Sequence, residues 1–237
     1  MWMAVIEDGV FCRLENGRSR QQVRDELIRL RSGTGRLVVG IDFAFGFPRW
    51  YAEANGWKCG RDTWRAAHRD GESWLTTGAA PFWGRTTRRP QHPGDALRRT
   101  ERAVSGSPRS IFQIGGAGAV GTGSIRGMSV PHELTGAGFS VWPFEPTGEA
   151  AIIEIYPRLF TGKVVKSSAQ ACLQHLNAHY PQDELPDLFR GMAAATEDAF
   201  DAAVSALEMA RARDTLCRLP DGDDIDRIEG RIWTTQP

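Results

Sequence analysis

Apolar and polar residues divide this chain into a β-rich start, an irregular middle and a helical end. Two short apolar runs, residues 2–7 and 10–14, flank the dipeptide Asp8-Gly9. Asp-Gly between two such runs is a strong signal for a two-residue hairpin turn. The sequence therefore predicts two antiparallel strands at the start of the chain.

The next segment predicts one helix and one further strand. Ser19 is suited to cap a helix that continues to about residue 30, with Val23, Leu27 and Leu30 on one face. Residues 37–42 then form a nearly continuous apolar run that ends in Asp42. Because strands buried on both faces are apolar throughout, we predict a central position in a sheet for this run.

Residues 47–144 lose clear periodicity and are rich in Gly, Pro, Trp and Arg. Helices are predicted only over residues 62–70 and 94–105. We interpret 49–143 as an insertion that covers one face of a single domain spanning 1–237. After it come a strand that contains Glu154, a helix over 167–178, and a second helix that begins near 188 or 196 and ends near 213.

Four acidic residues occupy unusual positions in this pattern. Glu154 is the only charge in the apolar run 151–157, and Asp42 ends the run 37–42. An ionised acid on a buried strand is costly unless a cation meets it. Asp198 and Asp201 lie three apart and so share one helix face. We interpret Asp42, Glu154, Asp198 and Asp201 as ligands of a shared Mg²⁺ or Mn²⁺ site, since carboxylates suit these ions.

Each acid also has a structural interpretation. Asp198 and Asp201 lie near the start of a helix that Thr196 is able to cap, where negative charge stabilises the helix dipole. Asp42 is a common turn residue. Glu154 is also compatible with a buried ion pair to an arginine such as Arg158.

Composition narrows the class of protein. With 237 residues, 41% of them apolar, the chain is long enough for one large domain with a full core. The four cysteines are far apart and form no metal-binding motif, which favours reduced thiols and a cytoplasmic location. No apolar run approaches the ~18 residues of a membrane span. We therefore expect no membrane partner, and the oligomeric state stays open.

Charge is distributed unevenly although the net charge is zero. Residues 85–126 contain eight arginines and two acids, and residues 183–229 contain thirteen acids and five arginines. Both runs are compatible with solvated surface. The alternative is a basic face that follows the phosphates of a nucleic acid beside an acidic metal pocket.

The basic segment also contains a glycine-rich stretch with the pattern G-x-G-x-x-G, from Gly116 to Gly121. A dinucleotide site would need a preceding strand and a following acid, and the preceding residues form a poor strand. A close-packed turn or an anion-binding nest beside Arg126 is the better interpretation, with Gly116 and Gly118 as substrate contacts. Tryptophans recur through 50–83, where most serve core packing and one or two are able to stack on bases.

Four segments together resemble domain-of-unknown-function family 429. They are Val39–Pro48, Gln113–Met128, Glu154–Pro157 and Glu197–Ala202. The resemblance implies an α/β protein of RNase H-like fold: a mixed sheet flanked by helices, with the large insertion between the fourth and fifth strands. It also implies a predicted nuclease, distantly similar to RuvC-type resolvases, with Asp42, Glu154, Asp198 and Asp201 as its acidic metal centre.

The sequence departs from the family pattern at its start. The resemblance implies a first strand whose Asp bridges two metal ions, and no residue before Asp42 fits that role. Three functions follow as hypotheses. The first is metal-dependent phosphodiester hydrolysis, the second a nucleic-acid-binding module without cleavage, and the third an enzyme that acts on a small phosphorylated compound.

Overall fold

The computed structural model describes residues 1–84 and 88–235, and within them it has an α/β architecture. The strands are β1 (Met3–Glu7), β2 (Val10–Glu15), β3 (Leu37–Ile41), β4 (Ser140–Val141) and β5 (Ala150–Glu154). The helices are α1 (Arg20–Gly33), α2 (Arg49–Ala54), α3 (Gly60–Thr77), α4 (Arg99–Ala103), α5 (Gly121–Gly127), α6 (Ser129–Gly136), α7 (Arg158–Thr161), α8 (Ala169–His179), α9 (Asp187–Ala194), α10 (Glu197–Arg211), α11 (Arg213–Leu216) and α12 (Asp226–Glu229).

The chain divides into two compact units, each assembled from segments distant in sequence. The first unit combines Met1–Val23, Ile155–Arg218 and Thr234–Pro237, and the second combines Arg24–Glu154 and Leu219–Trp233. The strands form two separate sheets, β1-β2 in the first unit and β3-β5-β4 in the second. The predicted α/β class is confirmed at this coarse level.

The first unit begins with the predicted hairpin. Strands β1 and β2 are antiparallel, and both turn residues have positive φ, 48° at Asp8 and 85° at Gly9. Such a turn has the twist that a two-residue hairpin requires, and Asp-Gly accepts it at low cost. Phe11 and Leu14 of β2 are buried, so one face of the hairpin contributes to the core.

Helices α8, α9 and α10 complete that core. The predicted cap of α10 is present, since Thr196 Oγ1 accepts from the Ala199 amide at 3.1 Å. Ser168 caps α8 in the same way, and its Oγ accepts from the Ala171 amide at 3.2 Å. The core residues are Phe11, Leu14, Cys172, Leu176, Tyr180, Leu185, Ala193, Ala194, Phe200, Ala203, Val204 and Leu207. The small alanines of α9 and α10 permit close packing of these helices.

The second unit is built on the parallel sheet β3-β5-β4. The register pairs Leu37 with Ala150 and Ile41 with Glu154. Strand β5 is the central strand, and all five of its residues are buried. The predicted central position of β3 is wrong, because β3 lies at the edge of this sheet with half-buried residues throughout. A continuous apolar run indicates burial, but it does not identify the neighbours of a strand.

The segment predicted as an insertion contributes directly to the second unit. Helix α3 is longer than the predicted 62–70, and α4 is shorter than the predicted 94–105. The segment also supplies β4, which pairs with β5. Over the described residues, none of the helices combines the length and the apolar character that a membrane crossing demands.

Candidate functional site

Glu154 is held by a buried arginine and a backbone amide. Arg98 Nη1 donates to Glu154 Oε2 at 2.8 Å, and Arg98 Nη2 donates to Oε1 at 2.5 Å. The Phe45 amide donates to Oε2 at 2.9 Å. Glu154 and Arg98 are only 3% and 1% exposed, so this is a buried bidentate ion pair. The structural interpretation of Glu154 is therefore the observed one, with Arg98 in place of the suggested Arg158.

A second carboxylate completes the environment of Arg98. Arg98 Nε donates to Glu101 Oε1 at 2.9 Å, and Arg98 Nη1 also donates to the Glu229 carbonyl at 3.0 Å. Burial alone would lower the pKa of Arg98, but the charges of Glu101 and Glu154 more than offset it and raise that pKa. Burial also raises the pKa of Glu101, against the opposing charge of Arg98. The cluster ties β5 to the start of α4.

Asp42 follows β3 directly, at the carboxyl end of the sheet. Its side chain is exposed, whereas the residues from Ala44 to Pro48 are buried. Because Ile41 pairs with Glu154 in the parallel register, Asp42 and Glu154 belong to the same edge of the sheet. Ligands of open parallel sheets commonly bind beyond this edge.

Asp198 and Asp201 lie in the first unit, on the opening turns of α10. Asp198 is exposed. Asp201 forms an ion pair with Lys166, whose Nζ lies 2.5 Å from Oδ1 and 2.7 Å from Oδ2. Burial raises the pKa of Asp201, and Lys166 opposes the rise. The charge of Asp201 is therefore balanced by a lysine.

These contacts decide whether the four acids fit a divalent ion in the observed arrangement. Glu154 gives both oxygens to Arg98, whereas Asp201 accepts a hydrogen bond from Lys166 through Oδ2 and has Oδ1 at ion-pair distance from the same lysine. Throughout residues 1–84 and 88–235, no three His, Cys, Asp or Glu side chains come together as metal ligands. The predicted set does not fit a shared Mg²⁺ or Mn²⁺ site while these ion pairs are intact.

The predicted substrate contacts lie in two different environments. Arg126 forms a bidentate ion pair with Glu72, at 2.7 Å from Nε to Oε1 and 3.0 Å from Nη2 to Oε2. Gly116 and Gly118 lie in an exposed turn, with φ of 80° and 74°. Positive φ at both positions explains why glycine occupies them. The turn is available to a ligand, whereas Arg126 already neutralises a carboxylate.

The second unit also contains a cluster of aromatic side chains. Its members are Phe47, Trp50, Tyr51, Trp57, Trp74, Phe82, Trp83, His92 and Phe112. The three phenylalanines are buried at its centre, with Phe47 and Phe112 at 0% exposure. The tryptophans around them are half-buried and present part of each ring to solvent.

Trp83 of this cluster lies beside positive charge. The guanidinium of Arg89 lies 5.3 Å from the centroid of its ring, which is cation–π geometry. Arg88 and Arg89 are both exposed. Arg85, which belongs to the same basic run, lies outside the described residues.

Backbone pairing joins Trp83 to the glycine turn. The Trp83 amide donates to the Phe112 carbonyl at 3.0 Å, and the Ile114 amide donates to the Trp83 carbonyl at 2.9 Å. Gly84 follows with φ of 100°, and a Cβ there would lie 2.1 Å from the Gly115 carbonyl oxygen. Only glycine permits this close approach.

Arg109 places a second guanidinium against the same turn. A Cβ built on Gly118 would lie 3.4 Å from Arg109 Nε, so the arginine side chain packs over the space that glycine leaves. Arg109 is exposed. We define the Trp83 surface as Trp83, Arg89, His92, Arg109 and the turn 116–118.

His92 contributes an aromatic ring with unsatisfied nitrogens. Its centroid lies 5.4 Å from that of Trp83 and 5.5 Å from that of Phe112. Neither ring nitrogen has a hydrogen-bond partner among the described residues. Burial, and secondarily the charge of Arg89, lowers the pKa of His92, so the neutral ring is favoured. A neutral histidine carries one donor and one acceptor, and in His92 both of these nitrogens are buried.

Parts of this surface stand out separately in the sequence, namely the tryptophans, the basic run and the glycines. Periodicity gives no reason to combine Trp83 with Arg109 and Gly118. Arg98 was not predicted, although the spacing of Arg98 and Glu101 on one helical turn is a usable signal for an ion pair.

No protein-family model matches the chain, and neither a search of curated proteins nor a search of solved structures finds a match.

Proposed function

We propose that the second unit binds single-stranded nucleic acid at the Trp83 surface. The observation that carries the proposal is the placement of Arg89 over the Trp83 ring, beside an exposed glycine turn on which Arg109 packs. Single-strand binding sites combine aromatic rings that stack on bases with cations that meet the backbone. The surface offers both, and backbone hydrogen bonds connect Trp83 to the segment that leads into the glycine turn.

Each component has a separate chemical role in this proposal. The half-buried Trp83 ring stacks on a base, and Arg89 strengthens the stack through its charge. Arg109 and the turn 116–118 receive a phosphate, since backbone amides in glycine turns form anion-binding concavities. A base inside a duplex has no free face, so the site favours unpaired strands.

Metal-dependent phosphodiester hydrolysis and the RNase H-like strand order stay predictions. The ion pairs of Glu154 and Asp201 favour a binding module over catalysis through the four predicted acids. Catalysis through these residues would require both ion pairs to break, which is costly.

The proposal is tested by fluorescence anisotropy of an end-labelled oligothymidylate. We expect Trp83→Leu to weaken binding about tenfold or more, from the ~1–3 kcal/mol of one base–aromatic stack. We expect Arg109→Ala to reduce the slope of log affinity against log salt by about one. Arg69→Ala removes an exposed arginine of the same unit that pairs with Asp70, and should leave affinity nearly unchanged.

The same titration distinguishes the proposed single-strand binding from the third hypothesis, an enzyme that acts on a small phosphorylated compound. A small phosphorylated substrate predicts that mononucleotides bind as well as oligothymidylate and compete with it completely. Equal binding by the parent, Trp83→Leu and Arg109→Ala proteins would refute the proposed surface.

A further inference from the structure

Helix α9 of the first unit exposes an apolar face to solvent. Ala193 and Ala194 on its inner side are buried in the core of this unit. On its outer side, Leu188 is 73% exposed and Met192 is 38% exposed. Residues four apart lie on one face of a helix, so these two side chains form one exposed apolar patch. Contiguous apolar patches mark interaction sites, whereas single exposed apolar residues need no explanation.

The patch belongs to a longer stripe with helical spacing. Gly191 and Ala195 are also exposed, and with Leu188 and Met192 they occupy positions i, i+3, i+4 and i+7. Ala195 keeps helical backbone angles, with φ of −73° and ψ of −28°, so the stripe continues to the end of α9. We define the α9 outer face as Leu188, Gly191, Met192 and Ala195. Anchors with this spacing are typical of contacts between an amphipathic helix and its partner.

Gly191 lies at the centre of the α9 outer face without a local reason for glycine. Its backbone is helical, and a Cβ built there would meet no described atom within 4 Å. Glycine inside a helix lowers stability relative to alanine. The packing of the first unit therefore does not require glycine at this position. A second backbone that approaches closely from outside does require it.

Negative charge surrounds the α9 outer face at both ends of the helix. Two exposed acids lie at or just before its start and two more follow its end, in the first turn of α10: Asp183, Asp187, Glu197 and Asp198. Within the described part of the chain, only Asp187 of these four has an ion-pair partner, Arg190 at 3.6 Å. An apolar stripe between unpaired acids is complementary to a partner that carries both apolar and basic residues.

We propose that the α9 outer face binds a basic amphipathic helix of a partner protein. The apolar residues of that helix pack on Leu188 and Met192, and its lysines and arginines meet the surrounding acids. A second copy of this chain would bring the same acids against them, and like charges oppose association. An anionic bilayer is disfavoured for the same reason. The proposal is independent of nucleic-acid binding, since the Trp83 surface belongs to the second unit.

The test uses the full chain and a fluorescein-labelled synthetic peptide of leucine and lysine, whose leucines have the spacing i, i+3, i+4 and i+7. Fluorescence anisotropy should show saturable binding by the parent. Leu188→Gln and Met192→Gln each remove an apolar anchor and should weaken binding about tenfold or more. Val120→Gln, at a position of the second unit that is also 38% exposed, should leave binding unchanged.

The variant Gly191→Gln separates docking from a structural role. Glutamine is a better helix former than glycine and its side chain meets no described atom, so the melting temperature should equal or exceed that of the parent. Because the same side chain blocks close approach, peptide affinity should nevertheless fall about tenfold. A lower melting temperature with unchanged peptide affinity would overturn the proposal.

Charge and the identity of the partner are tested in the same assay. A peptide with glutamate in place of lysine should not bind, since the acids of the first unit repel it. Equal binding of the two peptides, or no binding of the lysine peptide by the parent, would overturn the proposal. Self-association of the parent that Leu188→Gln abolishes would assign the face to a second copy instead. Binding to phosphatidylcholine vesicles that Leu188→Gln abolishes would assign it to a lipid surface, and either result would also overturn the proposal.

Discussion

At the residue scale, the most informative contact is the buried pair of Glu154 and Arg98. The sequence predicted that a carboxylate inside an apolar strand needs a cation, and this physical requirement is met. The identity of the cation was not predictable, because Arg98 lies 56 residues away in sequence. Metal and arginine satisfy the same electrostatic demand, and only the three-dimensional arrangement distinguishes them.

Replacing Glu154 tests the energetic role of this pair. We expect Glu154→Gln to lower the free energy of unfolding by about 3 kcal/mol, because it leaves a buried guanidinium with one carboxylate instead of two. Urea denaturation measures the change. The control is Glu53→Gln, which breaks the exposed pair of Arg49 and Glu53 and should cost less than about 1 kcal/mol. Equal effects of the two substitutions would show that Glu154 is not an essential buried partner.

Tyr51 gives a prediction about pH. Burial within the aromatic cluster raises the pKa of Tyr51 to about 12. Its unfolded value is about 10, so the folded state holds the phenolic proton more tightly. The contribution of Tyr51 to stability is therefore complete below pH 10 and lost as pH rises through about 12.

Ultraviolet absorbance of phenolate measures this titration in the parent and in Tyr51→Phe. The difference between the two curves should titrate near pH 12. A difference curve centred near the ordinary tyrosine pKa of about 10 would contradict the burial of Tyr51.

At the element scale, the sequence predicted the features that depend on contacts between residues close together in the chain, namely turns and helix caps. The Asp8-Gly9 hairpin and the caps at Ser19 and Thr196 all involve residues within a few positions of one another. The sheet position of β3 was mispredicted because strand neighbours are set by packing between distant segments. The short β4 strand, Ser140–Val141, was missed since two residues carry no periodicity.

Two glycines of the second unit are expected to differ in whether they tolerate replacement by alanine. Gly84→Ala should destabilise the protein by more than about 1 kcal/mol, because its Cβ would meet the Gly115 backbone and its φ is positive. Gly123→Ala, where nothing lies within 4 Å, should be neutral or stabilise α5 by about 0.5–1 kcal/mol. Thermal unfolding compares them. Similar melting temperatures for the two variants would argue against the close approach of Trp83–Gly84 to the glycine turn.

At the scale of the whole molecule, the division of the chain explains why site prediction was incomplete. Asp42 and Glu154 belong to the second unit, whereas Asp198 and Asp201 belong to the first. The segment Leu219–Trp233 returns to the second unit after 64 residues of the first, Ile155–Arg218. Helical spacing predicted the pair Asp198 and Asp201, and the apolar runs around Asp42 and Glu154 predicted those two acids. Neither pattern holds information about which distant charges these acids meet.

Calorimetric titration of Mn²⁺ tests the four-carboxylate hypothesis on the whole chain. Since Glu154 and Asp201 are neutralised by Arg98 and Lys166, we expect no saturable Mn²⁺ binding that depends on Glu154. The parent, Asp42→Asn and Glu154→Gln proteins should then give the same heats. Stoichiometric binding by the parent that both variants lose would instead establish a shared metal centre.

The central claim is that single-stranded nucleic acid binds at the Trp83 surface, and ultraviolet cross-linking tests its location directly. Bound oligothymidylate is irradiated, the protein is digested, and mass spectrometry identifies the modified peptides. The account predicts adducts in the peptides that contain Trp83 and the turn 116–118, and their loss in Trp83→Leu. Adducts confined to peptides of the first unit would contradict it.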